Sequence, residues 1–203
     1  TGTLSLLIGV STAWLVACCE FPGRKIFEWL LILPLAIPTY IAAYAYFDLL
    51  DRLTPLLIWV RTNFSQDAMT WLNDMMLYPV TIVVLAAVLY PYVYLVARAT
   101  FTQQSNQCME AAHTLGHGPY STFWRVALPM ARPAIIGGVA LVIMETLNDY
   151  GAVEHFNVPT FTTGIFRTWL SMGDLQGALR LAACLMALIL LFLMLEKWLR
   201  FGA

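Results

Sequence analysis

Residues 77–97, which read LYPVTIVVLAAVLYPYVYLVA, lie in the longest uncharged stretch of this chain. A helix over these residues would be about 31 Å long, since an α-helix rises about 1.5 Å per residue. That length matches the hydrocarbon core of a bilayer, which is about 30 Å thick. Lipid offers no hydrogen bonds to backbone groups, so an apolar stretch that crosses a membrane on its own must be helical. We therefore predict a transmembrane helix here.

The composition of the whole chain agrees with a membrane protein. Of its 203 residues, 60% are hydrophobic and only 11% are charged, and the mean hydropathy is +0.72. A soluble domain carries about 25% charged residues. The net charge of −1 provides no basic surface for nucleic acid. The four cysteines form no C-x-x-C pair, and no G-x-x-x-x-G-K-[S/T] loop for nucleotide phosphates is present. A disulfide framework, a zinc ribbon and a P-loop ATPase are therefore not expected.

Four further apolar stretches predict additional spans. Pro34 and Pro38 lie inside one of them and should kink it, because proline lacks a backbone N–H. The chain begins inside an apolar stretch, so we expect another helix upstream. Five spans predict an all-α polytopic membrane protein with a single transmembrane domain over residues 1–203. The four stretches are residues 1–19, 29–47, 133–146, which contains Glu145, and 181–195.

Lysine and arginine predict which side of the membrane each loop faces. With five spans, successive loops lie on opposite sides of the membrane. One side then receives seven basic residues and the other receives four. Cytoplasmic loops are enriched in these residues, so the side with seven should be cytoplasmic. That side contains a loop at about residues 100–132, whereas segments of about 48–76 and 150–177 should lie outside the cytoplasm. We expect short amphipathic helices on the membrane surface in the first segment. In the second we expect an extended or turned backbone at Val158-Pro159-Thr160 and a turn at Gly173-Asp174. The seven residues are Arg24, Lys25, Arg98, Arg125, Arg132, Lys197 and Arg200.

The loop at residues 100–132 carries the spaced pattern E-A-A-x3-G-x9-V-x-L-P. We predict a helix over residues 105–115, capped by Ser105 or Asn106, and a sharp turn at Gly116. A second helix should begin near Pro119, which suits a first helical turn, and end at residues 128–129. Small alanine side chains permit close approach to a partner. The pattern consists of Glu110, Ala111, Ala112, Gly116, Val126, Leu128 and Pro129.

This pattern resembles the EAA loop of the permease subunits of ATP-binding-cassette importers. The resemblance implies a five-helix type I permease core in the bacterial inner membrane, with a cytoplasmic coupling helix that docks on an ATPase dimer. It also implies a periplasmic substrate-binding protein and a second permease half or subunit. The ATPase would use ATP and magnesium, whereas the permease would bind no cofactor and catalyse no reaction. Transport would proceed by alternating access.

Four other stretches are similar to permeases of the ferric-iron uptake group. The similarity implies ferric iron as cargo and a ferric-binding protein as partner. Permeases of that group often contain two homologous halves, and this chain looks like the amino-terminal half. Related permeases for thiamine, polyamines, sulfate or phosphonates share the loop pattern, so those solutes remain alternatives. The stretches are METLNDYG at residues 144–151, VPTFTTGIFRTW at 158–169, FPGR at 21–24 and LYPYVYL at 89–95.

Glu145 and Asp149 are the candidate substrate-path residues. Four residues apart, they would share a helix face in the outer half of the bilayer, where an acid is costly and usually functional. Tyr40 and Tyr44, like Tyr90 and Tyr94, recur at four-residue spacing and would add oxygen ligands for a hard cation. A stable metal site is not expected, because a transporter must release its cargo. Alternatively, the acids lie at the interface and pair with Arg167 or Arg180, and the tyrosines serve in packing or an aromatic belt.

Two other interpretations compete with these. His113 and His117, with Cys108 and Glu110, offer metal-ligand types in a short stretch, but a helix end at Gly116 would turn the histidines apart. An ion-coupled secondary transporter would explain Glu145 as part of a proton or sodium site. That reading leaves the loop pattern unexplained.

Overall fold

The computed structural model describes residues 1–52, 66–114 and 118–201, and all regular structure in these ranges is helical. The predicted all-α polytopic fold is confirmed. A 3-10 turn at Leu33–Ala36 and π-helical segments at Phe123–Ala127 and Arg167–Ser171 join the α-helices. The α-helices are α1 Gly2–Cys18, α2 Arg24–Leu30, α3 Thr39–Arg52, α4 Gln66–Thr114, α5 Pro119–Thr122, α6 Leu128–Asn148, α7 Gly151–His155, α8 Phe161–Phe166 and α9 Leu175–Phe201.

The core forms where α1, α4 and α6 meet around Val93, which is fully buried. A Cβ atom added to Gly9 of α1 would lie 2.7 Å from the Cβ atom of Val93 and 3.0 Å from the carbonyl oxygen of Tyr90. A Cβ atom added to Gly138 of α6 would lie 3.1 Å from the Cα atom of Val93. Glycine therefore lets both helices approach α4 closely, which is a common way to pack helices in membranes.

Within the described residues, three helical stretches are long and apolar enough to cross a membrane, namely Tyr78–Gln103, Phe123–Asn148 and Leu175–Trp198. The apolar helix α1 is shorter, with 17 residues. The α2–α3 pair passes the same test only as a broken span, bent by 92°. These elements correspond to the five stretches predicted from the sequence.

The span predicted at residues 29–47 is broken rather than kinked. Leu33–Ala36 is a 3-10 turn, and Ile37 is extended, with φ −95° and ψ 116°. Proline disfavours helical geometry at the preceding residue, so Pro38 forces Ile37 out of the helix. Pro34 removes a second backbone donor within the same turn. Two prolines four residues apart thus cause a complete break.

The span predicted at residues 133–146 begins earlier than expected. The chain runs from α5 through the first π segment, Phe123–Ala127, directly into α6. The expected helix end at Leu128 and Pro129 is therefore wrong. The Leu128 N–H bonds to the Phe123 carbonyl, one residue further back than in an α-helix. This extra residue lets the helix continue past Pro129, which lies in the first turn of α6.

The helix predicted over residues 105–115 is the last part of α4, which runs unbroken through 49 residues, or about 74 Å. The predicted cap at Ser105 or Asn106 is wrong, because the preceding turns already supply the backbone partners that a capping side chain would replace. The segment predicted as surface helices at about 48–76 contains the end of α3 and the start of α4. Its residues 53–65 lie outside the described residues.

The segment at residues 150–177 contains α7, α8 and the second π segment. Thr160 is extended, with φ −125° and ψ 173°, as predicted for Val158-Pro159-Thr160. Its hydroxyl accepts a hydrogen bond from the Thr163 N–H, and the Thr163 hydroxyl accepts one from the Thr160 N–H. This capping box starts α8. The predicted turn at residues 173–174 is confirmed by Gly173, which has a φ of 67°.

Candidate functional site

The first arm of the predicted coupling loop is a direct extension of a membrane span. Glu110, Ala111 and Ala112 lie near the end of α4, which ends at Thr114. Glu110 is seven residues beyond the apolar stretch that ends at Gln103, a distance of about 10 Å along the helix. Gly116, the predicted turn, lies outside the described residues. The E-A-A residues are therefore carried by the same continuous helix that forms the centre of the core.

The second arm returns from Gly118 into α6. A helix begins at Pro119, as predicted, and the Thr122 hydroxyl donates to the Gly118 carbonyl oxygen at 3.1 Å. Val126 lies in the first π segment, and Leu128 and Pro129 lie in the first turn of α6. Both arms of the loop thus continue as helix into membrane spans.

Three aromatic side chains join these two arms to α1. The Trp14 ring of α1 lies 5.4 Å from the Phe101 ring of α4 and 4.8 Å from the Phe123 ring, measured between ring centroids. The Phe101 and Phe123 rings are 6.4 Å apart. Phe101 is only 1% exposed. We call Trp14, Phe101 and Phe123 the aromatic cluster, and the end of the bundle that contains it the loop end.

The loop end also carries a cluster of charged side chains. Arg98 of α4 forms an ion pair with Glu28 of α2, and both side chains are about one-quarter exposed. The Tyr94 hydroxyl donates to the Glu28 carbonyl oxygen at 3.3 Å, and Arg24 donates to the Ala17 carbonyl oxygen at 3.1 Å. Arg24 and Arg98, both assigned to the cytoplasmic side by the sequence, therefore lie at the same end of the bundle.

The two candidate acids do not share a helix face, so that part of the prediction is wrong. Glu145 is exposed in the last turn of α6, whereas Asp149 follows the helix and is extended, with φ −66° and ψ 127°. Its carboxylate accepts a hydrogen bond from the Ala152 N–H at 2.9 Å, and its carbonyl oxygen accepts one from the Thr162 hydroxyl at 2.7 Å. Aspartate favours such a position because its side chain satisfies a free N–H at a helix start. Asp149 therefore starts α7.

Glu145 lies near the end of its helix. It is three residues from Asn148, or about 4.5 Å along the axis, and about 26 Å from the start of α6, which lies at Leu128 and not at Pro133. Although Glu145, Arg167 and Arg180 all lie in the described part of the chain, no ion pair joins the glutamate to either arginine. The Glu145 carboxylate lies within electrostatic range of the Tyr92 hydroxyl. We call this end of the bundle the far end.

The four candidate tyrosines divide into two pairs. Tyr90 and Tyr94 are buried in the core, so the packing interpretation applies to them. Tyr40 and Tyr44 of α3 are exposed. The Tyr44 ring lies 4.1 Å from the His155 ring, and a Cβ atom added to Gly151 would lie 2.9 Å from the Cβ atom of Tyr40. Tyr40 and Tyr44 therefore pack against α7, the helix that Asp149 starts, at the far end.

Metal-binding side chains do not cluster within the described ranges. Among the described residues, no group of three or more histidine, cysteine, aspartate or glutamate side chains is placed to hold an ion. His117, one of the two loop histidines, lies outside those residues, so the loop metal site is not tested.

The aromatic cluster was missed by sequence reasoning, because Trp14, Phe101 and Phe123 have no fixed spacing and are ordinary apolar residues in their own helices.

The chain matches the family of binding-protein-dependent transport system inner membrane components over residues 5–200 and belongs to that family. It is therefore a membrane-spanning permease of an ATP-binding-cassette importer, a type of transport subunit that works with a separate ATPase.

Relatives in this family have names that refer to different cargoes. The chain is 28% identical over 203 residues to a molybdenum transport system permease protein of Escherichia coli K12, covering 96% of this chain and 85% of the relative. It is 28% identical over 199 residues to an Fe(3+)-transport system permease protein of Haemophilus influenzae, covering 98% of this chain and 35% of the relative. It is 29% identical over 199 residues to a sulfate transport system permease protein of Escherichia coli K12, covering 94% and 65%. The identities are similar, so the ferric-iron group predicted from the sequence is not singled out.

Proposed function

We propose that this permease moves ferric iron across the bacterial inner membrane by alternating access. A cytoplasmic ATPase dimer docks on the loop that contains Glu110, Ala111, Ala112 and Gly116, and a periplasmic ferric-binding protein delivers the ion. A second permease half completes the path. ATP and magnesium are bound by the ATPase, and this chain binds no cofactor. ATP binding opens the path outward, and hydrolysis resets it inward.

Glu145 is the observation that carries the iron proposal. It is an exposed carboxylate in a membrane span, and no arginine among the described residues neutralises it. A carboxylate attracts a hard cation that prefers oxygen ligands, and it repels an oxyanion. A single exposed acid gives attraction without a tight cage, which suits a path that must release its ion. The soluble binding protein supplies the affinity.

The break between α2 and α3 supports a path that runs beside this break. Backbone outside regular helix is tolerated at membrane depth only against protein or a water-filled cavity. Ile37 is extended and 43% exposed at this break. The surface around it therefore faces either water or a second permease half, and not lipid. Tyr40 and Tyr44 follow the break in α3 and add hydroxyl oxygens to that surface.

The two arms of the loop support coupling to an ATPase. Glu110 is carried on α4, which also forms the centre of the core, and the return arm leads through the first π segment into α6, which carries Glu145. A force applied to the loop therefore acts on both helices at once. Helices transmit displacement along their axes because protein interiors are close-packed and resist compression.

An oxyanion such as molybdate or sulfate is the second candidate cargo. The names of two relatives refer to molybdenum and sulfate transport, at identities similar to that of the ferric relative. At the far end, a polar cavity of about 370 Å³ contains Arg167 in its wall, and a guanidinium group suits an oxyanion. Its other polar lining residues are Tyr150, Glu154, Asn157, Thr160, Thr163 and Ser171.

Uptake into proteoliposomes tests the cargo. Vesicles hold the complete permease, its ATPase and its binding protein, and receive ferric iron in competition with molybdate, sulfate, thiamine, a polyamine and a phosphonate. We expect iron uptake that requires ATP and the binding protein. Glu145→Gln should lower it about tenfold, or about 1.4 kcal/mol. Asp149→Asn is the control, because it removes a charge four residues away and keeps an acceptor for the Ala152 N–H.

Each other result discards part of the proposal. Uptake of molybdate or sulfate would keep the importer assignment and discard the iron proposal, together with the cation role of Glu145. Equal iron uptake by the Glu145→Gln and Asp149→Asn variants would discard that role alone. Uptake driven by a proton or sodium gradient without ATP would favour the ion-coupled alternative.

A further inference from the structure

We infer that Trp14 is a positioning residue that couples the loop to the spans, because its ring bridges the two arms of that loop. This inference rests on the proposed function, since it assumes that an ATPase moves the loop. The Trp14 ring contacts Phe101 on the outgoing arm and Phe123 on the return arm. The Phe101 and Phe123 rings also lie 6.4 Å apart, so all three rings pack on one another where the two arms meet α1.

The outgoing side of this bridge is stiff. Phe101 is buried in α4, nine residues before Glu110, with continuous helix between them. Trp14 belongs to α1, which lies so close to α4 at Gly9 that no Cβ atom fits between them. Helices packed this closely do not slide past each other without a change of side-chain packing. Trp14, α1 and α4 therefore move as one unit when the loop moves.

The return side has a weak point at the bridge itself. Phe123 is the first residue of the first π segment, Phe123–Ala127. A π-helical segment is a less regular backbone ladder than an α-helix and is often found at functional sites. Bending there lets α6 change direction relative to α5. Because Phe123 contacts Trp14, the position of this bend is fixed against the α1–α4 unit.

These contacts assign a specific task to Trp14. When the ATPase draws the loop, α4 carries Trp14 with it, and the indole presses on Phe123 at the bend. The resulting change in direction of α6 moves Glu145 at the far end. Without the indole, the bend can absorb the motion of the loop locally. ATP hydrolysis would then continue while α6 moves less.

The test measures uptake and ATP hydrolysis in the same proteoliposomes, which hold the full assembly and a mixture of labelled ferric iron, molybdate and sulfate. Trp14→Leu should keep hydrolysis within about twofold and lower uptake per ATP by about tenfold, because it removes two aromatic pairs. Trp14→Phe keeps a ring and should restore most of the coupling. Trp198→Leu is the matched control, because Trp198 is 73% exposed on α9 and lies outside the aromatic cluster.

The outcomes separate this inference from the proposed function. Equal uptake per ATP in the Trp14→Leu and Trp198→Leu variants would overturn the role of Trp14 and leave the importer intact. A proportional fall in hydrolysis and uptake would show a merely structural role and would also overturn it. If Trp14→Leu does not assemble, Phe123→Leu tests the same contact from the other arm by the same ratio. Wild-type vesicles that take up none of the three ions with ATP would overturn the proposed function, and the inference with it.

Discussion

Gly9→Ala tests whether α1 and α4 are in direct backbone contact. The added methyl carbon would lie 2.7 Å from the Cβ atom of Val93, whereas ordinary contact begins at 3.4 Å. It would also lie 3.0 Å from two backbone atoms of α4, the Tyr90 carbonyl oxygen and the Tyr94 nitrogen. Backbone atoms inside a packed helix cannot rotate away. The variant must therefore move α1 outward by about 0.7 Å along part of its length.

The size of the effect follows from two opposing terms. Replacing a helical glycine by alanine favours the helix by about 1 kcal/mol. Overpacking a close contact costs about 1–3 kcal/mol. The net change for Gly9→Ala is then a loss of about 0–2 kcal/mol. Gly137→Ala is the matched control, because the added carbon would meet only the flexible Glu196 side chain at 3.8 Å. The control should keep the helical gain, so the two variants should differ by about 1–3 kcal/mol.

Unfolding of the purified permease in mixed micelles measures this difference. Rising concentrations of SDS unfold helical membrane proteins, and far-ultraviolet circular dichroism reports the loss of helix. We expect Gly9→Ala to unfold at a lower SDS fraction than Gly137→Ala. If Gly9→Ala unfolds at the same fraction as Gly137→Ala, or at a higher one, α1 and α4 are not in the close contact described here.

Three smaller changes test local contacts by the same unfolding assay. Glu28→Gln should cost about 1–2 kcal/mol of stability, because it leaves Arg98 partly buried without its ion-pair partner. Asp48→Asn breaks the exposed pair with Arg52 and should cost less than about 1 kcal/mol. Equal costs for the two variants would contradict the burial assigned to the Glu28–Arg98 pair. Thr160→Ala should cost about 1 kcal/mol by removing the cap of α8, and Thr160→Ser should cost much less; no difference between them would refute the capping box. Asp149→Ala should likewise cost about 1 kcal/mol of stability, whereas Asp149→Asn should be nearly neutral because it keeps an acceptor for the Ala152 N–H. A large loss of stability in both variants would mean that the charge of Asp149 matters more than its hydrogen bond.

The sequence predicted the features that depend on local chemistry. Uncharged length located the spans, and proline chemistry located the break at Pro34 and Pro38. The extended segment before α8 and the turn at Gly173 followed from the same reasoning. Each of these depends on residues within a few positions of one another, so composition and spacing were sufficient.

Features that depend on competition between neighbouring elements were harder to predict. Asp149 has the spacing of a helical partner of Glu145, but it serves as the acceptor at the start of α7 instead. Ser105 resembles a helix cap, but α4 reaches it already formed. A residue that suits both a helix interior and a helix cap takes the position that the neighbouring elements determine. The sequence alone does not show which of the two positions it will occupy.

The aromatic cluster and the cargo could not be predicted from the sequence, for different reasons. Trp14, Phe101 and Phe123 lie far apart in the chain, and only the packing of α1 against α4 brings their rings together. The cargo depends on a few side chains along the path, whereas the loop pattern is shared by permeases for many solutes. The pattern therefore identified the class of transporter and not its substrate.

The central claim is that a separate ATPase drives this permease through the loop that contains Glu110 and Gly116. It is tested most directly by measuring ATP hydrolysis and ion uptake together in proteoliposomes that carry Glu110→Lys or Gly116→Pro. Glu20→Lys makes the same change of charge at an exposed site outside the loop and serves as the control. We predict that both loop variants fold, that hydrolysis continues, and that uptake is lost, while the control transports normally. Full uptake in both loop variants, or loss of folding in both, would contradict the claim.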